Sequence, residues 1–560
     1  MSLVQIKRVI KTMLFFVVLF VFYVLVVPVF RDKSIERVSK EYSEFSKETF
    51  DVIFTGSSVM MNAIYPLQLY EDYGISSFNL GCGSQRLASS YYLIKQALRE
   101  QKPDLVVLDV YMVGATDMPE GFTHYVTDSL HYPEKIQMIL DVLPRDRWID
   151  FVYDLGAYHS RWDNLTVDDF SNKESIYRRG TYGAKIHYFA QEFESFGTIS
   201  TKKKKLPESQ EMYLRKIIKL CQDNNVDIML TLMPLDYSKV AGEIDRSQWQ
   251  LYWNAVQDIA DEYNVEYLNF MYHYDELNLD KMKDTDGGTH LNAYGAAKLT
   301  KYMGKYLKEH YKLQDVRQNP RYDFMETDLL QFKQTLEQLE LVEETDIDTY
   351  LNLLKNMSKN EYAIVVAVKD IQGYSLKIDT IDKLKKIGFV HSNILLEKKY
   401  HSFIGGVGIE ESVIEKYGND EAIEYSTSIG DRKIEITSET LNTGNESKIV
   451  IGNTDYSKNI RGLNFVVIDK KSGEIIDSVA FDTHVPEMTC YSGGGNMYKF
   501  RGLQKAARKE IAGKEIRVAV LGNCATQFFS EAIQGYGKIS GLNLNVYDTD
   551  YNQIDAQLVD

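Results

Sequence analysis

Between residues 51 and 310, short apolar runs alternate with longer stretches whose apolar residues recur every three to four positions. The runs at 51–55, 104–109, 226–233 and 265–270 are continuous rather than alternating. That is the mark of strands buried on both faces of a parallel sheet. The segments at 86–101, 208–224, 243–263 and 292–309 carry the helical period. Strand and helix in alternation predict an α/β domain on a doubly wound parallel sheet. Residues 311–327, "YKLQDVRQNPRYDFMET", break the pattern and read as a linker. From 328 to 490 the chain starts helical and turns strand-rich, through "AIVVAV", "KIEITSE", "SKIVIG", "LNFVVID" and "IIDSVAF". "KKSGE" between the last two is a hairpin turn signal, so this region reads as α+β. Residues 491–513 form a second linker, and 514–560 open as a strand–turn–helix, a partial α/β unit.

The amino-terminal pattern is different. Met13 to Phe30 holds no charge, and extended back to Val9 it is long enough to cross a hydrocarbon core of about 30 Å. Bulky apolar residues on every side argue against a buried core helix. The flank "VPVFRDK" lacks the small-x-small pattern of a cleavage site. Residues 1–30 therefore read as a retained transmembrane anchor, in contact with lipid over 9–30, and residues 31–50 as a charged stalk. Lys7, Arg8 and Lys11 favour a cytoplasmic amino terminus and an extracytoplasmic body in the cell membrane. Arg31, Lys33, Arg37 and Lys40 follow the span and weaken that asymmetry.

Charge and cysteine usage narrow the function classes. The net charge is −16, which argues against a nucleic-acid partner, because phosphate binding needs a basic face. The one basic run, Lys202 to Lys205, reads as a solvated loop. Cys82, Cys221, Cys490 and Cys524 are scattered, with no C-x-x-C pair, so neither a metal site nor a disulfide framework is implied. Nor is an organic cofactor.

Candidate chemistry begins at "FTGSSVMMNAIYP", residues 54–66. A serine after Gly56 can cap the following helix or stand as a nucleophile at the carboxyl end of a strand. Far downstream, "DTDGGTHLNAYGAAKLTKYMGKYL" places His290 in a Gly-rich loop with Asp284 and Asp286, just before an amphipathic helix. A Ser after the first strand and an Asp/His loop before the last helix can meet over one edge of a parallel sheet. Together they supply nucleophile, base and orienting carboxylate.

The blocks "FTGSSVMMNAIYP", "SSFNLGCGSQRLASSYYLIKQAL", "KPDLVVLDVY", "YHSRWDNLTVDDF" and "THLNAYGAAK" span most of residues 51–309. They resemble the SGNH hydrolase superfamily, which has a flavodoxin-like sheet, and within it the membrane-anchored DltD- and AlgJ-like branch of cell-surface acylation systems. The resemblance implies Ser58 as nucleophile, His290 as base, and Gly81 or Gly83 of "NLGCGS" as oxyanion donor. Two departures stand out. The family's Asp lies three residues before the His, where this chain has Gly287; Asp286 or Asp284 is left to orient the imidazole. The family's Gly-x-Asn-Asp block is replaced by "LDVYMVGATD", where Asp109 or Tyr111 could line the site. Losing one oxyanion donor costs about 3–4 kcal/mol in comparable enzymes. In "YHSRWDNL", Arg161 with His159 and Trp162 either binds a substrate carboxylate or phosphate bidentately, or forms a structural ion pair beside a core aromatic.

Downstream, "YAIVVAVKDIQGYSL", "HSFIGGVG" and "RGLNFVVIDKKSGEIIDSVAFDTH" resemble the interleukin-like EMT inducer (ILEI, or GG) domain. That resemblance implies glycan binding; a ligand-free spacer is the alternative. Residues 516–560 resemble the opening of the FkbH-like amino-terminal domain. A strand, a helix and a second strand, about 45 residues, bury too little apolar surface to fold alone, so Asp560 is read as not a natural domain end. Asn523 and Cys524 match the places of Ser57 and Ser58, but no His block follows and no catalysis is assigned to them.

These readings combine into one expectation: a membrane-anchored SGNH-type O-acyltransferase or esterase that O-acetylates, or deacetylates, a cell-envelope polysaccharide. A membrane-bound O-acyltransferase is a candidate partner. The rival class is a catalytically inactive, glycan-binding scaffold.

Overall fold

A computed structural model describes residues 3–30, 42, 45, 48–116, 120–152, 158, 161–162, 165, 167–170, 200–234, 246–280, 282–285, 290–371, 376–397, 399–483, 490–492, 507, 514–520, 527–539 and 542–548. The chain divides into two units, Met1–Glu343 and Glu344–Asp560.

The first unit opens with α1 (Leu3–Phe30), exposed along most of its length and long and apolar enough to cross a membrane. Then come β1 (Val52–Thr55), α2 (Ser58–Met61), α3 (Pro66–Tyr73), β2 (Ser77–Asn79), α4 (Leu87–Glu100) and β3 (Leu105–Asp109). A helical excursion follows: α5 (Glu120–Ser129), α6 (Glu134–Val142) and α7 (Trp148–Val152). The chain returns through α8 (Glu208–Asp223), β4 (Asp227–Leu232), α9 (Arg246–Tyr263), β5 (Glu266–Asn269), α10 (Phe270–His273), α11 (Ala293–His310) and α12 (Asp323–Glu343).

The five strands form one parallel sheet in the order β2-β1-β3-β4-β5. All of β1 and β3 is buried, as continuous apolar runs require. The chain builds outward from β1 to one side and then from β3 to the other. That reversal opens a crevice at the carboxyl ends of β1 and β3, where such sheets place ligands. β2 escapes the sequence pattern because it is three residues long and two of them, Ser77 and Asn79, are polar although fully buried.

The segment expected to be a linker, 311–327, is instead part of this unit. Leu313, Val316, Tyr322 and Met325 are buried in the main core, and Val316 N–H donates to the Gly74 carbonyl at 3.0 Å. α12 continues that packing with Leu329 and Phe332, the latter 5.2 Å from Tyr65, and Glu326 accepts from the Tyr70 hydroxyl at 2.9 Å. The boundary lies after Glu343. The polar, Pro-containing sequence suggested a tether, yet its few apolar side chains are spaced to meet one surface.

The second unit contains α13 (Ile347–Asn356), β6 (Tyr362–Lys369), α14 (Ile378–Ile387), β7 (His401–Val407), β8 (Ile414–Asn419) and β9 (Ile423–Ile429). β10 (Arg432–Ser438), β11 (Ser447–Ile451), β12 (Thr454–Asp455), β13 (Gly462–Asp469), β14 (Ile475–Asp482) and β15 (Cys490–Ser492) follow. Two antiparallel sheets result, β15-β14-β13-β6-β7-β8 and β12-β11-β10-β9. Ala363, Val365, Ile404, Ile434, Ile449 and Val466 meet in a core that both sheets share. The hairpin at "KKSGE" joins β13 to β14, its turn fixed by the Asp469 carboxylate, which accepts from Lys471 and Ser472 N–H. On the larger sheet, Tyr350 of α13 packs against Phe465 and Phe481 and donates to Asp477 at 2.8 Å. β16 (Ile516–Val520), α15 (Gln527–Ile539) and β17 (Leu544–Asp548) form a parallel strand pair with a crossover helix; Ile516 and Tyr547 are exposed.

Candidate active site

β1 ends at Thr55, and the next residue must pass very close to β3. A Cβ on Gly56 would lie 2.7 Å from the Asp109 Cβ, so only glycine fits. The two serines that follow have different partners. Ser57 is the cap: its backbone is extended and its Oγ accepts from Val59 N–H, at a long 3.4 Å. Ser58 is the first residue of α2, half-buried, and its Oγ lies 2.9 Å from Nε2 of His290.

His290 reaches this point because its loop is pinned at both ends. Thr285 and Leu291 form an antiparallel bridge, and the Asp284 carbonyl accepts from Asn292 N–H at 3.0 Å. Asn292 then caps α11, its Oδ1 accepting from Tyr294 and Gly295 N–H at 3.1 Å each. Gly295 lets the helix seat on the loop, since a Cβ there would fall 2.1 Å from the Asp284 carbonyl oxygen.

The two candidate orienting carboxylates fare differently. Asp284 is buried, and its Oδ2 accepts from Lys298 Nζ at 2.6 Å and from Asp280 N–H at 2.7 Å; His290 is not among its partners. In this geometry it clamps the base of the loop instead of orienting the imidazole. Asp286 lies outside the described residues.

Asn79, which sequence reasoning missed, organises the other wall. It is fully buried at the end of β2. Its Nδ2 donates to the carbonyls of Met60 (3.0 Å) and Ile64 (3.3 Å), and its Oδ1 accepts from Gly81 N–H at 2.9 Å. The resting Gly81 N–H is thus already engaged. A Cβ on Gly81 would sit 2.8 Å from Met61 N, which fixes the close approach of this segment to α2. Gly83 lies in the half-buried turn beyond, before Ser84 with its positive φ of 50°. The Gln85 amide lies between Thr55 and Ser90 hydroxyls at 2.8 Å and Gly56 and Leu80 carbonyls at 3.2 Å. With its oxygen toward the hydroxyls and its nitrogen toward the carbonyls, all four are satisfied. No pattern signalled Asn79, because β2 is too short and too polar to read as a buried strand; Lys298 offered none either, because lysine on an amphipathic helix is the commonplace solvated case.

Asp109 closes the crevice from behind. Its Oδ1 accepts from Met233 N–H (3.1 Å) and its Oδ2 from Tyr111 N–H (3.3 Å). Burial pushes its carboxyl up to about 7, with those two N–H groups opposing the shift. Tyr111 is buried, its ring stacked 5.6 Å from Trp253, whose indole donates to the Tyr111 carbonyl at 2.9 Å. Arg161 takes the structural role: it pairs with Asp169 at 2.7 Å and donates to the Phe30 carbonyl at 2.7 Å. Trp162 is 68% exposed rather than a core aromatic. His159 lies outside the described residues.

A serine hydroxyl 2.9 Å from an imidazole nitrogen can pass its proton there as it attacks a carbonyl. This requires the imidazole proton on Nδ1, leaving Nε2 as acceptor.

The family model described as "FkbH, N-terminal domain" matches residues 517–560. Among curated proteins, none matches the chain. Solved structures with partial likeness include a Bacteroides fragilis protein assigned as an acylhydrolase, at 10% identity and a TM-score of 0.26, covering 50% of this chain and 98% of that one. The psychrotrophic esterase EstA from a Pseudoalteromonas species gives 11% identity and a TM-score of 0.24, covering 46% of this chain and 97% of its own. A GDSL-like lipase from Bacteroides thetaiotaomicron gives 13% and 0.24, covering 50% of this chain and 98% of its own. Values this low carry no residue role with them, and the site stands on its own geometry.

Proposed function

We propose that the first unit is an SGNH-type serine esterase or O-acyltransferase, held to the cell membrane by α1 and acting on an envelope polysaccharide. The observation that carries this reading is the 2.9 Å approach of Ser58 Oγ to His290 Nε2 at the carboxyl edge of the parallel sheet. His290 takes the Ser58 proton as Oγ attacks an acyl carbonyl, then returns it to the departing alcohol. A saccharide hydroxyl or water, activated by the same imidazole, attacks the acyl-serine and restores the enzyme. Acetyl is the expected acyl group. Asp286 is the remaining candidate to orient His290. Gly81 and Gly83 are the candidates to meet the oxyanion, with the Gly81 N–H turning from Asn79 toward the new charge. The ILEI-like second unit would hold the glycan, and the body would face outward, where such polymers lie.

A serine-reactive fluorophosphonate should label the full-length protein and fail to label Ser58→Ala. An unlabelled wild-type protein would refute the enzyme and leave a glycan-binding scaffold. Protease added to intact spheroplasts should digest the body; full protection would overturn the outward orientation.

A further inference from the structure

Outside α1, the most exposed large apolar side chains among the described residues of the first unit are Ile149, Trp162 and Phe170, each 68% exposed, and Tyr132 at 67%. Trp162 and Phe170 flank the exit of α1. The short turn Val167–Phe170 packs on that helix, and Val27, in its last turn, is only 5% exposed. Arg161 closes the joint by bonding both the Phe30 carbonyl and Asp169. By contrast Phe20, Phe22 and Leu25, on other faces or earlier turns, are 66%, 61% and 68% exposed, as a lipid-facing helix requires.

The apolar stretch Gln5–Phe30 has 26 residues, about 39 Å of helix against about 30 Å of hydrocarbon. Its excess length lies at the amino end, where Lys7, Arg8 and Lys11 sit; the uncharged part, Thr12–Phe30, spans about 28 Å, so with Lys11 at one headgroup boundary Phe30 reaches the other, and whatever bonds to Phe30 lies there too. Aromatic side chains, tryptophan above all, are favoured at that depth. α7 carries the same character. Ile149 and Val152, three residues apart, are exposed, whereas Phe151 is buried with its ring 3.9 Å from His124. Arg145 is exposed beside them, its guanidinium 5.8 Å over the Trp148 ring, where a basic group can meet lipid phosphate.

We propose that Ile149, Trp162 and Phe170 form a platform that rests in the headgroup–acyl boundary of the bilayer that α1 crosses. The body then lies against the lipid surface and does not hang free on a tether. This rests on reading α1 as a membrane span.

The chain has four tryptophans: Trp253 is fully buried, and Trp148 and Trp249 are half-buried. The difference between wild type and Trp162→Phe thus isolates Trp162. Full-length protein is reconstituted at low density in phosphatidylcholine–phosphatidylglycerol vesicles, with and without lipid brominated near the top of the acyl chain. The Trp162 emission should be lost to the bromolipid and resist aqueous iodide. Phe170→Trp and Ile149→Trp, each made in the Trp162→Phe background, should add emission with the same behaviour. Protein that floats with the vesicles while these emissions are quenched by iodide and spared by bromolipid would overturn the platform. Protein that fails to float would overturn the span itself.

Discussion

Ser57 and Ser58 are neighbours with different partners, so replacing each with alanine separates folding from chemistry. Ser57 is 2% exposed, and its Oγ is the acceptor for the buried Val59 N–H. Ser57→Ala strips a buried donor of its partner, which costs about 1–2 kcal/mol; the 3.4 Å length argues for the lower end. In a unit of this size that is a fall in melting temperature of about 1–3 °C. Ser58 Oγ is half-buried and bonded only at its tip, so Ser58→Ala should change stability by less than about 1 kcal/mol. The rates should run the other way. Loss of a serine nucleophile lowers kcat by about 10⁴ to 10⁶, whereas a small shift of the cap should cost less than about tenfold. Thermal unfolding in detergent and hydrolysis of p-nitrophenyl acetate measure the two quantities on the same preparations. Ser58→Ala retaining its rate within tenfold, or Ser57→Ala losing all activity with its fold intact, would show that the wrong serine has been given the nucleophile's role.

Asn79→Ala leaves the Gly81 N–H and the Met60 and Ile64 carbonyls without their buried partner; a loss of about 3 kcal/mol is expected in denaturant titration. Gly295→Ala drives a Cβ to 2.1 Å from the Asp284 carbonyl and must displace the loop that carries His290. Steady-state kinetics should show kcat falling by about 100-fold, with KM much less affected. Asp109 holds its proton more tightly folded than unfolded, because burial raises its carboxyl to about 7. Its contribution is therefore present below about pH 4 and is lost as pH rises through 7. Wild-type stability relative to Asp109→Asn should fall over that window, by an amount on the order of 4 kcal/mol. A flat difference between the two pH curves would contradict the burial argument.

Much of this protein was legible from periodicity. Continuous apolar runs needed two covered faces, so β1, β3, β4 and β5 were expected within a residue or two of where they lie. The uncharged stretch ending at Phe30 could only be α1. Five strands of the second unit stood out because β-branched residues run through them, whereas β8 and β9 did not, since "IEKYGN" and "IEYSTSI" are half-polar strands, each at the edge of its own sheet. Ser58 and His290 were singled out only through the resemblance of the blocks around them to a known family; the residue types alone offered either serine, as cap or as nucleophile.

What pattern could not reach is which of two adjacent serines turns toward a histidine 232 residues away. That depends on the pass of Gly56 against Asp109, which fixes the direction of each Oγ. Nor could it show that Asp284 answers to Lys298, or that Asn79 holds the Gly81 N–H, because these are buried polar partnerships between distant segments. A buried polar atom must find a partner, and the sequence states the need without the address. Hydrophobic period is a local property of the chain, so the sequence alone determined the elements that carry such a period, and not β2, β8 or β9. Hydrogen-bond geometry exists only once distant segments are packed, so the tertiary structure alone decided who serves whom in the site.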